Sequence, residues 1–539
     1  MLVCLGLAKV HQAAFNMIYS RRQVLQIASA CASTLWLPRS AWSQVKFSEN
    51  PFTLGVASGA PTVDSVVVWT RLAISGLFGS GIGKDPVTVR WEIADDDQFK
   101  NLKRSGQSQA VAELAHSVHV EVPNLEPDRW YFYRFMVGDA VSAVGRTRTL
   151  PRPDAIVNRL RLAYASCQRY EHGYFSAYKH MIKEDLDFVL FLGDYIYEYP
   201  QEKDGIRVPT GGWVVSLDDY RQRYALHKRE PELQAMHAAC PWLLTWDDHE
   251  VQNDYAGVSI GENGPAVSDF LARRANAYQA YYEHMPLRAS TLTRAISGLA
   301  TGADMRLYQS LQFGRLASLH LLDQRQYRSP QACTRDGRAG SGNVDPAKCP
   351  LWLDPSRTLL GTEQEAWLDQ TLSRSQAPWN VVGQSTLFGQ RDYKIGAGQT
   401  LWNDGWDGYT PARDRALVSM QKNKASMPVL LGGDVHANWV GHIKADYNAH
   451  ASANVGVEFC GTSITARGGN GKTIPERLAE NPHFVFANEE RRGYGVVQFT
   501  PTLLTTHLRV IDDPTKRETQ IETLAKFEVQ AGRADIQNV

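Results

Sequence analysis

The chain carries no net charge, because 57 basic side chains balance 57 acidic ones over 539 residues. No global field draws it to nucleic acid or to an anionic membrane, so a partner must be chosen by local chemistry. Past the amino terminus there is no uninterrupted apolar run near the roughly 18 residues of a spanning helix, and the mature protein reads as soluble, without stable membrane insertion. Repeats and low-complexity tracts are absent as well, which excludes a repeat architecture. Cysteine is scarce, at seven residues. A chain this long exceeds one core, and two or three domains are expected.

The amino terminus is of a different kind. Ser20-Arg21-Arg22-Gln23-Val24-Leu25-Gln26 precedes a moderately apolar stretch, Ile27 to Leu37, and then Ala41-Trp42-Ser43. This resembles a twin-arginine export signal with cleavage near Gln44, the alternative being a basic amphipathic first helix. Residues 1–43 are then removed, Met17 is a natural start, and the twin-arginine machinery delivers the folded protein to the periplasm or the medium. In an oxidising compartment Cys333 and Cys349, which flank a polar, glycine-rich loop, are the expected disulfide. Cys240 and Cys460 lie in apolar sequence and read as core thiols. Cys167 stands apart from both.

From Phe52 to about Arg152 the text is strand-like: Ser65–Thr70, Val87–Ile93 and His116–Val122 are rich in β-branched residues. Leu125-Glu126-Pro127-Asp128-Arg129-Trp130-Tyr131-Phe132-Tyr133 resembles the corner and following strand of a fibronectin-type sandwich, so residues 44–152 are expected to form a small all-β domain. After the linker Pro151-Arg152-Pro153-Asp154 apolar strands alternate with helical stretches. Strands are expected at 160–165, 188–192, 242–246, 316–322, 379–383, 428–431 and 455–459, and helices near 174–184, 218–227, 270–283 and 361–373. This mixture is an α/β pattern with buried sheets. It assigns residues 153–510 to the second domain and leaves 511–539 as an extension.

Four short segments end apolar runs with metal-binding side chains: Ala165-Ser166-Cys167-Gln168, Gly193-Asp194-Tyr195-Ile196-Tyr197-Glu198, Trp246-Asp247-Asp248-His249-Glu250 and Gly432-Gly433-Asp434-Val435-His436-Ala437-Asn438. Ligands gather outside the carboxyl ends of strands in α/β sheets, so the four predict one converging metal centre. Asp194 can bridge two cations, and the Tyr197 phenolate suits iron(III). Asp434 and His436, at i and i+2 of an extended segment, share a face and can serve adjacent metals. Taken singly, each segment also fits an ordinary strand-to-turn junction, a buried histidine beside a carboxylate, or a solvated acidic turn.

Together the four segments resemble those of the PhoD-like alkaline phosphatases, a branch of the calcineurin-like metallophosphoesterases. Leu322-Asp323-Gln324-Arg325-Gln326-Tyr327-Arg328, Asp404-Gly405-Trp406-Asp407-Gly408-Tyr409 and Glu458-Phe459-Cys460-Gly461-Thr462-Ser463 extend the resemblance from Phe52 to about Val510. It implies a metallophosphoesterase β-sandwich flanked by helices, preceded by the fibronectin-like domain. It also implies Cys167, Asp194, Tyr197 and His436 around iron(III). The wider superfamily places an asparagine where Asp248 stands and a histidine where Asp434 stands; carboxylates at both points make the second site oxygen-rich and suited to calcium, with Asn253 a further donor. His249 is implied to protonate the leaving oxygen or hold a phosphoryl oxygen, and Arg325 to neutralise developing charge, with Arg328 its rival. The expected enzyme is an exported phosphomonoesterase with phosphodiesterase activity on small phosphate esters. Phospholipase D-type activity is the enzymatic alternative, and an exported binding protein with a vestigial site is the non-enzymatic one.

Overall fold

A computed structural model describes residues 47–74, 81–292, 305–334, 340–422, 427–449 and 451–539. The expected signal peptide, residues 1–43, lies outside these. Two large sheets face each other. The first has ten strands, in the order Ile536–Asn538, Ile521–Gln530, Leu503–Ile511, Arg492–Phe499, Leu160–Ala165, Phe188–Leu192, Trp242–Thr245, Val56–Gly59, Val66–Arg71 and Ser117–Val122. Its three middle strands, from Leu160 to Thr245, are mutually parallel. The second sheet has seven, in the order Gln309–Phe313, Ala317–Leu321, Trp379–Gly383, Met427–Gly432, Asn454–Cys460, Asn438–Lys444 and Phe484–Asn488. The four from Ala317–Leu321 to Asn454–Cys460 are parallel.

Alternation explains the layers. Leu160, Leu162, Phe188, Leu190 and Leu243 point inward to meet Leu319, Val381, Val429, Val457 and Phe459 of the second sheet. The intervening residues Ala163, Val189, Phe191 and Leu244 face outward and are covered by the helices Leu217–Lys228, Pro231–Ala239 and Phe270–His284. Beyond the second sheet, Val382 and Leu430 pack on the helices Gly361–Arg374 and Thr410–Lys422. The result is an α/β sandwich of two sheets between helical layers, as expected.

The amino-terminal strands form a smaller sandwich. Val66, Val68, Val118 and Val120 pack against Val89, Trp91, Tyr133 and Phe135 of a five-stranded sheet. Its corner is closed by Tyr131, whose hydroxyl accepts the Glu126 N–H at 2.8 Å. One layer of this sandwich is also the far end of the ten-stranded sheet, where Gly59 pairs with Trp242. The opposite end adds a second difference from expectation. Residues 511–539, read as an extension, supply the strands Ile521–Gln530 and Ile536–Asn538, which cover the Leu503–Ile511 strand that would otherwise leave an open edge. Cys333 and Cys349 form the expected disulfide, while Cys167, Cys240 and Cys460 are free and buried. No described helix is long and apolar enough to cross a membrane.

Candidate metal centre

The parallel strands of both sheets finish at one rim. Leu160–Ala165 leads into Cys167, Phe188–Leu192 into Asp194, Trp242–Thr245 into Asp247, Asp248 and His249, and Met427–Gly432, from the opposing sheet, into Asp434 and His436. The turns are tied to one another by backbone: Cys167 N–H donates to Gly193 O at 3.1 Å, Gln168 N–H to Asp194 O at 3.0 Å, and Ile464 N–H, beyond the end of a second-sheet strand, to Ser166 O at 3.0 Å. Glu250 adds a side-chain clamp, accepting the N–H of Asp194 at 3.2 Å and of Asp247 at 2.9 Å. Its burial raises its own pKa to about 7.

Close approach demands glycine at two of these turns. Gly193 has φ +107°, and a Cβ there would lie 2.6 Å from Asp247 Cβ and 2.7 Å from its backbone nitrogen. A Cβ on Gly433 would strike Ser166. Four site residues are held in the left-handed region: Cys167 at φ 59°, Asp194 at 57°, Asp434 at 64° and His436 at 52°. Such conformations cost on the order of 1–3 kcal/mol each in a non-glycine residue and are kept where function requires them. Asp434 and His436 therefore reach the site through consecutive tight turns and not from the extended segment that their spacing suggested. Gly193→Ala is expected to separate Asp194 from Asp247 and to lower kcat/KM by roughly a hundredfold. Steady-state kinetics with metal analysis will show whether it does so.

Two donor groups result, and they share one residue. Ligand atoms of Cys167, Asp194 and His436 lie within 4.8 Å of one another, as do those of Asp194, Asp248 and His249. Tyr197 completes the first, its hydroxyl 2.8 Å from Asp194 Oδ2 and 3.2 Å from His436 Nε2. The other His436 nitrogen, Nδ1, is fixed at 2.9 Å from Arg467 O. In the second group His249 Nδ1 lies 2.7 Å from Glu198 Oε2. Asp434 stands outside both groups. Asp434 Oδ2 accepts from Thr386 Oγ1 at 2.7 Å, and Asn253 Oδ1 accepts the Tyr199 hydroxyl at 2.8 Å.

The electrostatics favour cations. Burial pushes Asp194 well above the usual carboxylate range; His249 opposes this, and Asp248, Asp247 and Glu250 add to it. Burial likewise raises Asp434, Cys167 and Tyr197. His249 goes the other way: burial alone would lower it, but Asp248, Glu198 and Asp194 hold its pKa well above normal. Asp194 Oδ1 and Asp248 Oδ1 are buried without a hydrogen-bond partner. Buried carboxylate oxygens of this kind are stable when a cation takes them up, and the thiol, phenol, imidazole and carboxylate donors here fit a pair of metal ions.

Arg325, expected to neutralise developing charge, has its guanidinium engaged within the protein. It is buried, and its guanidinium is committed to carboxylates: Nε to Asp247, NH1 and NH2 to Asp404 at 3.1 and 2.7 Å, with Asp248 Oδ1 at 3.5 Å. Arg328 also binds Asp404, at 2.8 Å. A bidentate pair with Asp404 this well buried, with Nε on Asp247, leaves no free fork for substrate. Glu198, Glu250 and Asp404 lie within the segments read from sequence but received no role there, and Thr386 lies outside them. Glu198 and Glu250 directly follow site residues, which was the available signal; nothing local marks Thr386 or the pairing of Asp404 with Arg325.

Comparison with known proteins places nearly the whole chain in one family. The PhoD-like phosphatase model matches residues 162–508, and the model for the N-terminal domain of PhoD-like phosphatases matches residues 38–151. Alkaline phosphatase D of Bacillus subtilis (strain 168) is 46% identical over 502 residues, which is 92% of this chain and 83% of that protein. The solved structure of PhoD superposes with a TM-score of 0.86 at 45% identity, covering 92% of this chain and 93% of that one.

Proposed function

Because this chain belongs to the PhoD-like phosphatase family and is a hydrolase of that family, we propose that it cleaves phosphomonoesters and phosphodiesters at a centre of one iron(III) and calcium. The observation that carries the reading is the sharing of Asp194 between two donor groups. Cys167, Tyr197 and His436 would hold iron; Asp248, Asp434 and Asn253 would hold calcium; Asp194 would serve both. When bound, such a pair polarises the phosphoryl group and acidifies water.

The chain's own residues supply position and protons. Glu198 anchors His249 through Nδ1, leaving Nε2 as the ring nitrogen that meets substrate and delivers a proton to the leaving oxygen. Arg325 acts through Asp247, Asp248 and Asp404, as a positioning residue. Thr386 orients Asp434 through its hydroxyl. The paired Arg21-Arg22 segment supports export by the twin-arginine route, to the periplasm or the medium.

The test combines substrates with calcium removal. The enzyme is expected to hydrolyse p-nitrophenyl phosphate and bis-p-nitrophenyl phosphate, to leave phosphatidylcholine intact, to lose activity in a calcium chelator and to regain it with calcium while iron stays bound. Preferential attack on phosphatidylcholine would establish the phospholipase reading instead, and recovery with zinc alone would remove calcium from the account.

A further inference from the structure

Arg325 and Arg328 are both bound to Asp404, which turns the search for a phosphoryl-binding side chain to the rest of the rim. Arg169, two residues past Cys167, has the required placement. Its guanidinium carbon lies 5.4 Å from the Tyr197 ring centroid and 4.9 Å from that of Tyr199. Tyr197 belongs to the first donor group, and Tyr199 donates its hydroxyl to Asn253 Oδ1. The guanidinium thus sits beside the two tyrosines that link both proposed metal positions.

Its bonding differs from that of Arg325 in the way a substrate-binding group requires. Arg325 is 1% exposed and held by short contacts to Asp247 and Asp404, whereas Arg169 is 16% exposed and its carboxylate contacts are long, 3.8 Å to Glu171 and 3.4 Å to Glu202. Glu202 is not dedicated to it, being 2.6 Å from His172 Nε2 and 3.6 Å from Arg467. The buried Arg169 Nε has no hydrogen-bond partner. Two aromatic faces and two distant carboxylates therefore hold the guanidinium plane in place without saturating its donors.

We propose that Arg169 binds the non-bridging phosphoryl oxygens of the substrate, and equally those of the inorganic phosphate product, acting as a catalytic cation. A planar fork beside the centre matches two phosphoryl oxygens, and the contact strengthens as charge builds on them during displacement. The inference rests on the phosphatase reading of the same centre.

The test uses the metal-loaded enzyme, with Arg169→Met and Arg169→Lys. Competitive inhibition by inorganic phosphate is measured beside kcat/KM, metal content and visible absorption. For Arg169→Met the expected result is a fall of roughly a hundredfold in kcat/KM and a weakening of phosphate inhibition by about tenfold or more, with metals and absorption unchanged. Arg169→Lys, which keeps the charge without the fork, should fall between. Phosphate inhibition equal to wild type in both variants overturns the proposal, as does a shifted absorption band with unchanged phosphate affinity, which would mean that Arg169 only supports Tyr197. A wild type that neither turns over phosphate esters nor binds phosphate overturns the functional reading itself.

Discussion

Asp194→Asn is expected to cut activity by on the order of a thousandfold or more and to release metal from both donor groups. The substitution preserves volume, so packing is not the cause. Asp194 is the residue common to both groups, one of its oxygens takes the Tyr197 hydroxyl, and the other is buried without a protein partner. An amide supplies no charge to either position and places an N–H where a carboxylate oxygen is needed. Asp434→Asn is the useful comparison, because Asp434 lies outside both groups and is held by Thr386. It should lose calcium and retain iron. An Asp194→Asn protein with both metals still bound would mean that the carboxylate does not bridge.

Arg325→Met should act first on stability. Removing this guanidinium leaves Asp247 and Asp404, both buried, facing Asp248 without their shared counter-charge, though Arg328 and Gln331 remain on Asp404. Breaking a buried pair from one side typically costs about 3–5 kcal/mol. The variant is expected to unfold at markedly lower urea concentration and to yield little soluble protein. A variant of normal stability whose kcat alone has collapsed would restore the substrate-contacting role that the sequence suggested for Arg325.

The same residue shows where sequence reading stops. Strand ends were legible, because a buried apolar run closed by Cys, Asp or His is a local pattern; the strands into Cys167, Asp194, Asp247 and Asp434 lie where that pattern puts them. The Tyr131 corner was legible for a similar reason. Arg325 could not be resolved, since its partners are distant in sequence and an arginine beside an acidic motif reads alike as phosphate binder or ion pair. The left-handed turns at Cys167 and His436 were hidden because cysteine carries no such signal and histidine only a weak one, and the neighbouring glycines matter through contacts with another strand. The last strands were missed because Ile521–Gln530 is mostly half-exposed and alternates weakly. What it contributes, covering an edge, appears only in the assembled sheet.

In the proposed two-metal centre Cys167 and Tyr197 would hold iron(III), and Asp194 would serve both iron and calcium. Elemental analysis with visible spectroscopy on protein exported by its own signal, compared with Tyr197→Phe, tests it most directly. The account predicts stoichiometric iron together with calcium, and a visible absorption band that Tyr197→Phe shifts or abolishes. A colourless, fully active protein containing only zinc would contradict it.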